Sequence, residues 1–439
     1  MKKLLQPIDN APLILFRIFF GFLFAAETFG AILTGWVKDN FITPKFTFSH
    51  IGFEWLQPLP EAGMYLYFVA MGILSIAVMV GYKYRASIIA LTMLWFGVYL
   101  MQKTSYNNHY YLLLLISALM CIMPAHAYAS FDAKSNPSLR SNTMPQWCSF
   151  VFIAQISIVY FFATAAKFYP DWLDGTFTKN LLAHATGIDF IDRLFAQKWF
   201  YMFIAYAGIA FDGLIVPMLL FKKTRTLAVC LSLVFHIFNS IVLQIGIFPY
   251  FALSFAVFFY PPELVRKRFF KKKTPIADGE KHYSIYPPLF VLLAVYFLVQ
   301  LLLPVRHWFI PGDVLYTEEG HRLSWRMMLR SRSGYTAFRV VDKKTQEDLH
   351  YSIFQNLTFK QIRGMEAKPD MIWQLAQRIK NNYASQGIDV AVYVDSHVSV
   401  NQKQAVTLID PKVDLAAVKW NYFGHDSWVN THFEAPKYP

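Results

Sequence analysis

Cysteine is nearly absent. The 439 residues hold three, Cys121, Cys148 and Cys230, and none follows Cys230. No pair has the spacing of a metal site, so neither a disulfide framework nor a bound metal is expected to organise the chain. Charge is scarce too, at 16% of residues against 55% hydrophobic. A Walker loop, a dinucleotide glycine fingerprint and an HExxH helix are all missing, which leaves phosphate-driven transport and protease chemistry without their residues. There is also no internal repeat of the kind that builds many secondary transporters.

What the chain has instead is apolar length. Aromatics reach 18%, with 42 Phe, and mean hydropathy is +0.32. A membrane helix needs roughly 17–25 apolar residues, and nine stretches approach this: 11–34, 64–81, 86–101, 110–124, 148–166, 201–221, 226–243, 246–261 and 286–304. The fourth and eighth are short. After Pro304 the apolar runs stop and charge rises. The reading is a polytopic α-helical membrane protein of about nine spans (1–304) followed by a soluble α+β domain (305–439). In that domain 336–342 and 388–394 pattern as strands, and Asp370–Ile379 as an amphipathic helix after Pro369. The first span follows Met1-Lys2-Lys3, contains Glu27 and shows no small-residue cleavage site, so it reads as an anchor.

The net charge of +13 is not a nucleic-acid signal. Its densest cluster, Arg266-Lys267-Arg268 with Lys271-Lys272-Lys273, lies between two spans. Lys2-Lys3, Lys83 with Arg85, Lys134 with Arg140, and Lys222-Lys223 with Arg225 fall on the same side of a nine-span topology. The positive-inside rule then puts the N-terminus in the cytoplasm against anionic lipid. It puts the C-terminal domain outside, in the periplasm if the host is bacterial.

Lys167 is the most informative residue. It closes the fifth span, just before Phe168-Tyr169-Pro170-Asp171-Trp172. A lysine there ordinarily lifts its ammonium into the headgroups. An amine held under aromatic rings and out of water is instead poised to act as a base. Other spans offer polar groups toward the same outer side. Asn107-Asn108-His109 opens the fourth, Asp212 sits inside the sixth, and His236 and Asn239 share one face of the seventh, with Gln244 beyond. Polar groups in lipid cost several kcal/mol when left alone (about 2–7 by reference state), so these should meet around a cavity. Interhelical hydrogen bonding is the plainer alternative, above all for Asp212 and Asn239.

Four segments, in order, resemble the vitamin K-dependent γ-glutamyl carboxylase family: Lys103–Leu112, Ile158–Trp172, Phe235–Ser240 continuing to Gly246–Tyr250, and Ser324–Ser333 with Trp325-Arg326-Met327-Met328. The likeness spans about residues 8–335 and is that of a bacterial-type short homologue with the horizontally transferred transmembrane domain. It implies a catalytic set of Lys167, Asn108, His109, His236 and Asn239, with Lys167 as the base that activates vitamin K hydroquinone. Trp325, Met327, Met328 and Arg332 would border quinone and glutamate, with Asp212 in support. The implied reaction oxidises a reduced vitamin K (menaquinol-type in a bacterial host) to its epoxide with O2. It thereby removes the γ-proton of a peptidyl glutamate, which captures CO2. No metal is implied. The partners would be membrane lipid and a peptide or protein glutamate. Quinol epoxidation without protein carboxylation stays open beside this, as does a non-catalytic membrane scaffold that binds a partner. Trp420, Tyr422, His425 and Trp428 read as packing or interface aromatics, and Asn356-Leu357-Thr358 is a glycosylation triplet by pattern only.

Overall fold

Of the fourteen α-helices described before Arg306, ten frame the bundle in a computed structural model that describes residues 2–183, 186–276, 283–284 and 286–431. They are α1 (Ala11–Leu33), α2 (Gly63–Val80), α3 (Tyr84–Met101), α4 (Asn108–Ile122), α5 (Trp147–Ala165), α6 (Lys198–Leu220), α7 (Arg225–Val242), α8 (Phe248–Ser254), α9 (Pro262–Phe269) and α10 (Pro287–Val305). Seven of them are long and apolar enough to cross a membrane, or eight crossings if a bent pair counts as one. That corrects the expected nine at the two stretches that are short in sequence. α4 has 15 residues. The eighth stretch is α8 and a 3-10 turn, Phe255–Phe258, bent by 115° into α9. Pro261 and Pro262 lie at that bend, where neither can supply the N–H that would continue the helix.

Small residues set the tightest helix contact. A Cβ on Gly21 of α1 would stand 2.5 Å from the backbone nitrogen of Met79, and one on Gly72 of α2 would strike the Phe29 ring. Lipid tails are as apolar as leucine, so close backbone approach is what drives such packing in a membrane. Arg17, fully buried on α1, gives its guanidinium to the carbonyls of Ala125 (2.7 Å) and Ala129 (2.6 Å). Its charge is thereby held by the turn after α4.

The two ends of the bundle are closed differently. At one end, β1 (Pro7–Asp9) pairs antiparallel with β2 (Thr143–Pro145), and Asp9 takes Lys273 and, at 3.1 Å, Arg266. The basic loops gather there; Arg225 lies over the Tyr260 ring beside α9. At the other end sits the C-terminal domain. Its strands β3 (Arg332–Asp342), β4 (Val390–Val400) and β5 (Val406–Thr407) form one antiparallel sheet in that order. Helices α11 (Phe359–Met365) and α12 (Pro369–Ala384) pack with it. Both expected strands and the expected helix are present, each longer than read from sequence. Met371, Leu375 and Ile379 face Val340, Val392 and Val394 in the core. Phe48 enters the same core from the α1–α2 loop, so the domain is completed by the membrane part. Trp420 packs against this core and Trp428 is buried in it, the packing role expected of them.

The domain seam is rich in cations. Lys368, half-buried just before α12, has its amine pulled down to about 7 by burial and by Arg322, Arg330 and Arg332, against an opposing pull from Asp370. The unfolded chain, with the ordinary 10.5, holds that proton more tightly. Stability should therefore rise as pH climbs from about 7 through 10.5. Lys368→Met is expected to raise the melting temperature at neutral pH and flatten that rise. An unchanged slope in thermal unfolding across this range would rule the lysine out as its source.

Candidate active site

α5 ends at Ala165, and the chain turns at Lys167 before Pro170. The Lys167 side chain folds back under the bundle instead of rising to the headgroups, and is 7% exposed. Its Nζ donates to the carbonyl of Ala163 at 3.2 Å and meets Asp212 Oδ2 at 2.5 Å. The expected aromatic lid is present: Nζ lies 5.1 Å from the centre of the Trp172 ring. Small residues on α6 make room for it. Trp172 Nε1 donates to the Ala205 carbonyl at 2.9 Å, and a Cβ on Gly208 would sit 3.3 Å from the indole. Asp212, one turn beyond Gly208, then points at the amine. The amine is thus not alone in an apolar pocket. It has a carboxylate partner.

His236 faces inward on α7 at 3% exposure, while Leu233, Val234 and Ile237 beside it point out. Its Nε2 is 3.3 Å from the Tyr160 hydroxyl on α5, and its Nδ1 is buried without a partner among the described residues. Tyr160 lies within electrostatic reach of Asp212. The His236 ring meets Phe248 edge-on at 6.4 Å, and the opposite neighbour of Phe248 is His109, stacked at 3.8 Å. Lys167 thus pairs with Asp212, Tyr160 lies near that pair and within hydrogen-bond distance of His236, and Phe248 packs between His236 and His109.

His109 opens into a cavity of about 380 Å³ whose polar lining is Glu27, Asn107, Tyr110 and Gln244, with Phe248 and Phe251 as apolar walls. Glu27 lies beside the Tyr110 hydroxyl. Asn107 caps α4 by accepting from Tyr110 N at 2.8 Å. Gln244 holds a φ of 51°, a left-handed conformation that a glutamine adopts at a cost.

The expected residues do not all surround one cavity. His109 lines it. Lys167 and His236 stand behind its wall, and Asn108 points elsewhere, with Nδ2 donating to the Arg326 carbonyl at 3.2 Å and Oδ1 accepting from the Tyr106 hydroxyl at 3.3 Å. Asn239 is half-buried, one turn past His236, and its side chain makes no hydrogen bond among the described residues. Helical periodicity assigns a residue to a face but not to a depth or a neighbour, which is why the set divides.

Residues 324–332 run across the end of this region that faces the C-terminal domain. Trp325 is fully buried and stacks on Tyr111 at 4.9 Å. Leu329 packs with Trp172, and its carbonyl accepts from the Tyr169 hydroxyl. The segment thus joins the Asn108 side to the Lys167 side, with Met327 half-buried and Met328 exposed between them. Leu323, Trp325 and Met328 have φ of 61°, 56° and 47°. Three such residues in six is a concentration of backbone strain of the sort found at functional sites. Arg332 is occupied otherwise. It donates to the carbonyls of Leu315, Tyr316 and Ala367 and pairs with Glu318, bracing the outer domain.

Glu27 and Tyr160 are site residues that the sequence did not single out, and for Glu27 a signal existed: a lone acid inside an apolar span is a functional candidate by default.

Comparison with known families agrees with this layout. Residues 5–263 match the model of the HTTM domain, and residues 286–434 match that of the vitamin K-dependent gamma-carboxylase, lumenal domain, which takes in α10 as well as the sheet. No solved structure matches the chain.

Proposed function

This chain belongs to the HTTM-domain, vitamin K-dependent gamma-carboxylase family, and from that premise we propose that it oxidises a membrane quinol and uses the oxidation to carboxylate peptidyl glutamate. The observation that carries the reading is the buried Lys167–Asp212 pair at 2.5 Å, with Tyr160 nearby and its hydroxyl 3.3 Å from His236. A cavity of about 380 Å³ falls in the range of small-molecule sites, roughly 300–1,000 Å³. Its aromatic walls suit a bicyclic quinol head, and His109, Asn107, Gln244 and Glu27 offer partners for ring oxygens. When bound, a reduced vitamin K supplies, with O2, a base strong enough to take a glutamate γ-proton.

The side chains supply the rest. Tyr160 and His236, within hydrogen-bond distance of each other, can hold a proton near the Lys167–Asp212 pair, and Asp212 holds the amine in place as it gains charge. Glu27 accepts from a ring hydroxyl and so orients the head. Trp325 and the backbone around it shield the region from water, which protects strongly basic species. The basic end of the bundle faces the cytoplasm in this proposal. A reporter inserted between Phe270 and Pro275 should then be active only inside, and external activity would reverse the assignment.

Incubation with reduced vitamin K, O2, bicarbonate and a glutamate peptide, with both products read by mass spectrometry, tests the reading. Epoxide and carboxylated peptide should appear together. Epoxide alone would establish the second reading, a quinol epoxidase without carboxylation. That reading is favoured by Arg332, whose two terminal nitrogens are already engaged by main-chain carbonyls. Neither product would sink both. Glu27→Gln should raise KM for the quinol about tenfold with a smaller change in kcat, the loss of one hydrogen bond to a charged acceptor, about 1.5 kcal/mol. A kcat loss with KM unchanged would place Glu27 in proton transfer instead.

A further inference from the structure

A cavity of about 1020 Å³ lies at the opposite end from Lys167, where α1, the end of α2, the loop after α4 and the end of α9 meet. Arg17, Lys134, Arg140, Arg268, Lys271 and Lys272 line it, and its lining includes no acid. Among the described residues, none of Lys134, Arg140, Arg268, Lys271 and Lys272 has a carboxylate partner within salt-bridge distance. The surrounding frame is anchored. Asp9 grips Arg266 and Lys273 on either side of the 268–272 turn, and Lys273 also donates to the Asn142 carbonyl at 2.9 Å. Arg140 lies over the Tyr128 ring at 5.6 Å.

Apolar side chains share this cavity. Phe131 and Phe269 line it at 53% and 56% exposure, beside Ile18 and Val80 of the membrane helices. α9, bent by 115° from α8 and its 3-10 turn, carries Phe269 and Arg268 together. Exposed phenylalanines next to unpaired cations at a helix end match the boundary between acyl chains and headgroups.

We propose that this cavity binds the headgroup of an anionic phospholipid, with the phosphate among Arg140, Arg268, Lys271 and Lys272 and the first acyl carbons against Phe131 and Phe269. A free anion would use the cations but gain nothing from the apolar wall. A zwitterionic lipid would bring its own cation to a place already crowded with them. Basic pockets between helix ends bind anionic headgroups through this combination.

The test uses the full chain in detergent, exchanged into nanodiscs of mixed phosphatidylglycerol and phosphatidylcholine, with protein-bound lipid counted by native mass spectrometry. The parent should retain phosphatidylglycerol over phosphatidylcholine. Neutralising Arg268, Lys271 and Lys272 to Gln should lower that retention about fivefold per residue, from roughly 1 kcal/mol for each basic group near the surface. All three are exposed, so the fold should tolerate the change. Lys222→Gln with Lys223→Gln removes charge at the same end but outside the cavity, and should leave retention unchanged. Equal loss in both variants, or full retention in the triple variant, would overturn the site. Displacement of the lipid by millimolar inorganic phosphate would assign a free-anion site and overturn the lipid as ligand.

Discussion

Replacing Lys167 with alanine is expected to lower quinol epoxidation by about 10²–10⁴-fold, the ordinary contribution of a positioned acid–base group. Quinone binding should persist, because the cavity is lined by other residues. The Ala variant leaves Asp212 buried without its partner, so loss of fold is the competing explanation. Lys167→Met with Asp212→Leu removes both charges together, and an apolar pair of similar size is often neutral or stabilising. That double variant should fold, bind quinone and remain inactive. Lys167→Arg keeps the pair but cannot give up its proton at any working pH, and should also fail. Epoxidation by the Ala variant at the parental rate would show that Lys167 is not the base. Full activity in the Arg variant alone would make the role electrostatic.

The largest effect on stability is expected from Asp370→Ala. Asp370 opens α12 and reaches back to the membrane part. It takes Lys103 Nζ at 2.7 Å and Arg322 Nη2 at about the same range, 3.0 Å. Lys103 is 1% exposed, so removal of the carboxylate strands a buried ammonium facing a guanidinium. Breaking a buried pair in this way costs about 3–5 kcal/mol. Thermal unfolding should fall accordingly, and amide exchange in β3 and β4 should rise as the outer domain loosens from its seat. Lys103→Met with Asp370→Leu should recover much of the loss. If Asp370→Ala unfolds at the parental temperature, the clamp contributes nothing.

The pH dependence of that clamp has a definite sign. Burial alone would raise the Asp370 carboxyl, but Arg322 and Lys103 outweigh it and hold it well below the ordinary 3.8. A depressed carboxylate contributes stability that is complete above its unfolded value and lost as pH falls through its folded one. Acid should therefore open the seam only below the usual carboxylate range. Burial brings Lys103 down to about 8. The unfolded chain binds its proton more tightly, so this residue adds stability as pH rises from about 8 through 10.5.

Much of this architecture is legible in composition. Apolar runs of spanning length, the halt after Pro304 and the gathering of basic residues in alternate loops each follow from the cost of polar groups in hydrocarbon. The fold bears out every run except the fourth, which is too short, and the eighth, which is bent at Pro261-Pro262. His236 was legible as an inward residue because a polar group within an apolar span is too costly to leave facing lipid. Lys167 was legible because aromatics follow a lysine at the end of a span.

What the chain alone determined, then, is which residues are too costly to face lipid. What only the tertiary structure decided is which of them meet. Asp212 lies 45 positions from Lys167, and its partner depends on how far α6 is rotated and slid against α5. Gly208 and Ala205, admitting Trp172, set that register. Glu27 joined the site because α1 turns it toward Tyr110, while Asn108 left the cavity for Arg326, 218 positions away. Periodicity fixes a direction around a helix axis. Depth and rotation between helices come from close packing of small residues, and no local pattern encodes them.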